Sequence, residues 1–291
     1  MTMQQPSIIL LVPYFGKWPE WFDFFLLSCK FNNSIQWQFY TDCIIPENPP
    51  DNVKFNSISF FDYKNKVSEA LNINFNPDSA YKLCDLKPVL GFIHEDDIEG
   101  FDFWGFSDID LVYGDLRKYY TAERLNKFDF FSTHERRVSG HLCLMRNTKK
   151  MREAFRFMKN WEVRLADNKH HALDEGAFSR LFIRHKNFPK WLFKLFAYFN
   201  PWRRSSEFAE AYSTPNAGVK WIDGTYNFPN IWFWSSGKLT NDLTGDREFP
   251  YFHFYGWKKY IWEDRGFEVT PIQKSTVFAI SKFGFRAEEE G

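Results

Sequence analysis

Four cysteines in 291 residues, Cys29, Cys43, Cys84 and Cys143, are too few and too scattered to build a disulfide framework. No CxxC pair occurs, which argues against a structural zinc site, and a chain of this size can bury its own core without cross-links. Reduced thiols are the expectation. Charge of one sign is also missing, because 37 Lys and Arg balance 37 Asp and Glu. A general nucleic-acid binder would carry a basic excess, so no nucleic acid is expected as a partner. Long hydrophobic runs are absent too. The Ile8–Val12 run is too short for a signal sequence, and nothing downstream approaches the ~20 apolar residues that cross a bilayer. No internal repeat or low-complexity linker breaks the chain, so a single domain over 1–291 is the simplest division.

Aromatic residues, by contrast, are plentiful: 35 Phe, 13 Tyr and 12 Trp make up 21 % of the chain. Rings fill cores as readily as they stack on sugars and bases, so abundance alone assigns no role. Patterning is more informative. Ile8–Val12, closed by Pro13, reads as a buried parallel strand, Pro19 to Cys29 as a helix, and Gln36 to Tyr40 and Val53 to Phe60 as further strands. Tyr81 to Phe92 reads as a helix, Phe101 to Phe106, Phe128 to Ser132 and Leu142 to Met145 as strands, and Lys149 to Ala166 as one helix. The final third looks irregular. The β-α-β opening implies an α/β fold around a central mixed, mostly parallel sheet.

The sharpest local signal is Phe103-Trp104-Gly105-Phe106-Ser107-Asp108-Ile109-Asp110. An apolar strand delivers two carboxylates, one residue apart, to the end of a sheet where α/β folds bind ligands. A D-x-D triplet alone is common in solvated loops; its attachment to so apolar a strand gives it weight. Such a pair suits a hard cation, Mn²⁺ or Mg²⁺, shared with phosphate oxygens. Asp110 is expected on the metal, and Asp108 on the metal or a ribose.

Far downstream stands Tyr251-Phe252-His253-Phe254-Tyr255-Gly256-Trp257-Lys258. His253 adds a nitrogen ligand that Mn²⁺ accepts, Gly256 lets backbone approach a phosphate, and Lys258 can neutralise one. This segment resembles the His-Phe-x-Gly-x-x-Lys motif of glycosyltransferase family 8 and its GT-A relatives, in which the His completes the metal site begun by the D-x-D. Ser139 to Asn147 is similar to the turn and strand beneath their acceptor site, and Leu173-Asp174-Glu175-Gly176-Ala177-Phe178 to their acidic station. Tyr81-Lys82-Leu83-Cys84-Asp85-Leu86-Lys87-Pro88 resembles an element of bacterial capsule and O-antigen polysaccharide-biosynthesis transferases. Glu175 stands where family 8 usually has Gln, and Lys258 is followed by Lys259 rather than Pro.

The resemblance implies a GT-A (Rossmann-like) domain with a nucleotide-binding half, 1–120, and an acceptor-binding half, 121–291, that carries the metal-site His. It implies transfer of a hexosyl residue, galactosyl or galactofuranosyl, from a UDP-sugar to a bacterial surface polysaccharide, lipopolysaccharide included. The expected metal ligands are Asp108, Asp110 and His253, and the nucleotide contacts Asp42, Lys82, Asp108, Gly256 and Lys258. A plain strand-end turn is the competing and simpler role for Asp42, and helix-surface ion pairs the competing role for Lys82, Asp85 and Lys87. Glu175 and Asp174 are the candidate general bases of an inverting reaction, with Asp174 as a helix N-cap the competing role; in a retaining reaction neither need be a base, because the leaving phosphate can accept the proton. His134, Glu135, Arg136 and Arg137 either line the acceptor pocket or form a solvated loop. His170 and His171 are adjacent and would face different ways on a helix.

Residues 184–204 mix cations with large apolar groups, which fits either peripheral contact with a membrane or a helix packed on the domain. The expected location is cytoplasmic, at the inner face of the cytoplasmic membrane where the glycan acceptor is lipid-linked. Two rivals remain at this point: a metal-dependent phosphotransferase or hydrolase using the same acids, and a non-catalytic carbohydrate-binding protein.

Overall fold

The computed structural model describes residues 4–184, 189–215, 218–272 and 276–288. Its centre is the run that reads most plainly in the sequence. β1 (Ile8–Pro13) is buried almost throughout. Ile9 and Leu11 enter one core and Ile8, Leu10 and Val12 another, as the two-residue period of a strand covered on both faces requires.

β2 (Ile35–Thr41) and β3 (Val53–Ser57) add to one side of β1, both in parallel. β4 (Phe103–Ser107) pairs with the other side, again parallel. β5 (Leu111–Tyr113) follows the acidic pair, and β6 (Phe130–Ser132), β7 (Leu142–Arg146) and β8 (Ser206–Phe208) complete the main layer. Among the described residues the order is β3-β2-β1-β4-β7-β6-β8, with only β7 reversed against its neighbours. The expected α/β class with a central mixed, mostly parallel sheet is what the structure has. Because the chain leaves β1 toward β2 and returns on its far side as β4, the switch point lies between β1 and β4. Ligands of open α/β sheets sit outside the strand carboxyl ends at such a point.

Helix α1 (Phe22–Lys30) covers one face with Phe22, Phe25, Leu26 and Cys29. Helix α2 (Phe60–Leu71) covers the other with Tyr63, Val67 and Leu71, four residues apart on one stripe. Ser59 caps α2, its Oγ accepting the Asp62 N–H at 3.0 Å, which ends the third strand three residues earlier than its apolar pattern suggested.

Three sequence expectations need correction. Residues 80–89 form a 3₁₀ segment rather than an α-helix. The helix expected over 149–166 is broken into Lys149–Arg152, a turn at Ala154–Phe157 and Trp161–Ala166, with Asn160 left-handed at φ 54° ahead of the last piece. The final third is not irregular. β9 (Ile231–Ser235), β10 (Lys238–Asn241), β12 (Glu268–Val269), β13 (Val277–Ser281) and β14 (Gly284–Glu288) form a second sheet in the order β10-β9-β13-β14-β12. Trp232, Trp234, Phe278, Ile280 and Phe285 build a third core there, and Phe24 of α1 packs into it. β11 (Tyr251–His253) leaves this region to pair antiparallel with β5, His253 opposite Leu111. No helix among the described residues is long and apolar enough to cross a membrane.

Candidate functional site

A cleft of about 810 Å³ opens at the carboxyl ends of β1 and β4. The β5–β11 ladder brings the two halves of the sequence signal together there. The Phe254 N–H donates to the Asp110 carbonyl at 3.2 Å, and His253 follows β11 into the same corner. His253 Nε2 stands 3.4 Å from Asp110 Oδ1, and one ligand atom each from Asp108, Asp110 and His253 lies within 4.8 Å of the others. Two carboxylate oxygens and an imidazole nitrogen, already convergent, form a donor set that suits Mn²⁺ and, less specifically, Mg²⁺.

Two lysines face these acids. The Lys258 ammonium pairs with Asp110 Oδ2, and Lys87 Nζ lies 2.6 Å from Asp108 Oδ1. Burial would raise the Asp110 carboxyl, but the Lys258 ammonium and then the His253 ring hold it well below the usual carboxylate range. Burial would lower Lys87 as well; Asp108 instead holds it well above the ordinary ammonium range. Asp110 is therefore ionised, and Lys87 protonated, near neutrality. Lys87 also donates to the Gly140 carbonyl at 2.6 Å, which ties the first wall of the cleft to the second.

Asp174 and Glu175 occupy that second wall, on a single π turn over Asp174–Phe178. The Glu175 N–H donates to Asp174 Oδ1 at 2.8 Å, so the Asp174 carboxylate is satisfied by its neighbour and does not act as the N-cap considered above. Burial pushes the Asp174 carboxyl up to about 6, with Lys87 opposing the rise. Glu175 is more open, and Arg137 Nη1 lies 3.6 Å from its Oε2. Gly140 passes between them and the rest of the cleft. A Cβ there would meet Asp174 Oδ2 at 2.9 Å and Glu175 Oε1 at 3.0 Å.

Lys82, expected at the nucleotide, does not reach the cleft. It is buried, with Nζ 3.0 Å from Asp85 Oδ2 and donating to the carbonyls of Arg164 and Lys169. Lys87, five residues on, takes the cleft position instead. Asp42 is exposed and accepts the Gly16 N–H at 2.8 Å, holding the loop after β1 in the manner of the strand-end turn. Gly256 and Lys258 line the cleft.

Residues that the sequence left without a single role also gather here. His141 stacks on His253 with ring centroids 4.1 Å apart, and its Nε2 lies 2.7 Å from the Tyr251 hydroxyl, which donates to Thr133 Oγ1. Burial drives His141 well below its ordinary range, so it is a neutral prop behind His253. Thr214 Oγ1 lies 3.3 Å from His253 Nδ1, giving the ring the outer contact that orients metal-binding imidazoles. His134 and Arg137 line the cleft. The His-x-x-Arg spacing of these two was visible, but no periodicity reported which way the loop faced.

The profile described as "Family of unknown function (DUF6625)" matches residues 10–289. The chain belongs to that family. No curated protein matches it. Among solved structures it is similar to galactosyltransferase LgtC in complex with donor and acceptor sugar analogs, at 13 % identity and a TM-score of 0.35, over 71 % of this chain and 88 % of that one. It is also similar to mouse xyloside xylosyltransferase 1, at 10 % identity and a TM-score of 0.34, over 72 % and 87 %. The glycosyltransferase GlyE of Streptococcus pneumoniae TIGR4 follows at 10 % identity and a TM-score of 0.29, over 70 % and 45 %. Likenesses at this level leave the functional reading to the site itself.

Proposed function

We propose that this DUF6625 chain is a metal-dependent glycosyltransferase of the GT-A type that uses a nucleotide sugar, a UDP-sugar, as donor. The observation that carries the reading is the convergence of Asp108, Asp110 and His253, with Lys87 and Lys258, at the switch point of the sheet. Asp108, Asp110 and His253 would hold Mn²⁺ or Mg²⁺, which when bound supplies Lewis-acid charge to a departing diphosphate. Lys87 and Lys258 bring the cationic donors a diphosphate needs, and Gly256 leaves room for backbone beside it.

The Asp174–Glu175 wall serves the acceptor. A carboxyl near pH 6 is matched to proton transfer at neutrality, so Asp174 takes the proton of the acceptor hydroxyl as its oxygen bonds the anomeric carbon and the bond to diphosphate breaks. Glu175, held by Arg137, orients the acceptor. This is an inverting transfer. The chain works as one unit: 1–120 serves the nucleotide, and 121–291 serves the acceptor while lending His253, Gly256 and Lys258 to the metal and diphosphate. We take the acceptor to be a lipid-linked glycan of a bacterial surface polysaccharide.

Thermal unfolding tests the reading directly. Mn²⁺ with UDP or one UDP-sugar is expected to raise the midpoint, by about 2.7 kcal/mol of stability at a hundredfold excess over Kd. Asp110→Ala is expected to abolish the shift. Absence of any nucleotide shift in the parent chain would sink the proposal.

A further inference from the structure

We propose that the exposed face of helix α3 (Lys190–Phe199) docks on an anionic lipid surface. Trp191, Leu195, Tyr198 and Phe199 are 68 %, 47 %, 65 % and 72 % exposed. At 3.6 residues per turn these four fall within an arc of about 100°, so they form one stripe. A helix on a water-facing surface normally turns such an arc inward; here it is the outward face that is apolar.

The charge of this stretch of the sequence selects its occupant. Residues 184–204 contain Arg184, Lys186, Lys190, Lys194, Arg203 and Arg204 and no Asp or Glu. The Arg204 guanidinium lies 5.7 Å from the Tyr198 ring centroid, and Lys150 Nζ 4.9 Å from that of Trp202. Phe157, 67 % exposed, packs against the same Trp202 at 5.6 Å. Aromatic rings beside cations match a bilayer interface, where rings enter the headgroup layer and cations meet phosphates. A second copy of the chain would oppose like charges across a two-fold contact, which disfavours self-association as the cover.

The helix is also fixed to the acceptor wall. Asn200 Nδ2 donates to the carbonyls of Leu181 and Phe182 at 2.8 and 3.2 Å, directly after the turn that carries Asp174 and Glu175. A membrane under α3 would therefore hold the second wall of the cleft close to lipid-borne acceptors. That consequence rests on the glycosyltransferase reading; the lipid contact itself does not.

Flotation of the full chain with vesicles tests it. Equimolar phosphatidylcholine and phosphatidylglycerol vesicles are expected to bind at least about tenfold more protein than phosphatidylcholine alone, with binding falling as salt rises. The triple variant Trp191→Ser/Tyr198→Ser/Phe199→Ser is expected to lower binding about tenfold or more, and Arg204→Glu to weaken it on mixed vesicles only. Equal binding to both vesicle types, no binding to either, or a triple variant that floats like the parent overturns the proposal. So does a parent dimer that the triple variant converts to monomer, since a second copy would then be the cover. Both variants keep the Mn²⁺–UDP midpoint shift, which separates the two readings. Flotation without that shift retires the transferase reading alone, and the shift without flotation retires the lipid surface alone.

Discussion

Lys87 Nζ lies 2.6 Å from Asp108 Oδ1, while Lys82, five residues earlier on the same 3₁₀ segment, is buried against Asp85. Two lysines of one motif thus do different work. Lys87→Met is expected to weaken nucleotide binding by about tenfold or more, since one buried cation facing phosphate is removed. Lys82→Met removes the lysine partner of the fully buried Asp85, leaving it the backbone N–H donors of His171 and Leu173 and the His170 ring nitrogen 3.4 Å away. It is expected to cost about 3 kcal/mol of stability while the folded fraction binds nucleotide normally. Isothermal titration with UDP and Mn²⁺, beside denaturant unfolding, separates the two; a reversed pattern would return Lys82 to the site.

The donor set itself makes a prediction about metal choice. His253 contributes the nitrogen that distinguishes this corner from an all-oxygen site. Mn²⁺ is expected to support nucleotide binding better than Mg²⁺, and His253→Asp to raise the Mg²⁺-to-Mn²⁺ affinity ratio. Titrating both ions into the UDP-loaded protein checks it. An unchanged ratio would mean that His253 is a structural partner of His141 and Asp110 and no ligand.

How much of this could be read beforehand depends on where each signal lies in the chain. β1, β4 and β7 were legible because strands buried on both faces are continuous apolar runs, and β2 because Ile35, Trp37 and Phe39 alternate with Gln36 and Gln38. The acidic pair was legible for the same reason, since such a strand must deliver Asp108 and Asp110 to a rim. The helix over 149–166 was not, because its apolar stripe is real but Asn160 turns left-handed in the middle of it. The second sheet escaped although Ile231–Ser235 alternates buried and exposed residues, because its partner Val277–Ser281 lies far along the chain. Choosing between Lys82 and Lys87 required knowing which side of the segment faces the cleft, and only the packing of Arg164 to Lys169 over Lys82 decides that.

Asp174 carries a pH signature whose sign can be worked out. Its carboxyl is raised to about 6 in the folded chain, against 3.8 for the ordinary group, chiefly by burial. The folded state therefore keeps this proton where the unfolded state releases it, and raising the pH from 4 to 6 removes that stabilisation. Relative to Asp174→Asn, which has no proton to lose, the parent should lose on the order of 3 kcal/mol across that window. Below the unfolded value both states are protonated and the difference vanishes. Paired urea titrations at pH 4, 5, 6 and 7 measure it; parallel curves would mean that the carboxyl is ionised throughout.

The tightest steric prediction concerns Gly140. Its carbonyl holds Lys87, and any Cβ would sit 2.9 Å from Asp174 Oδ2 and 3.0 Å from Glu175 Oε1. The two carboxylates cannot both stay where they are beside an alanine, and Asp174 is buried with little room to retreat. The metal corner, built on the far wall from Asp110 and His253, need not move. Gly140→Ala is accordingly expected to cut turnover steeply, approaching ~100-fold for a displacement of about 1 Å, with the Mn²⁺–UDP midpoint shift preserved. Loss of the midpoint shift alongside turnover would show instead that the Gly140–Lys87 bond organises the nucleotide side. The acceptor wall would then need a different defining residue.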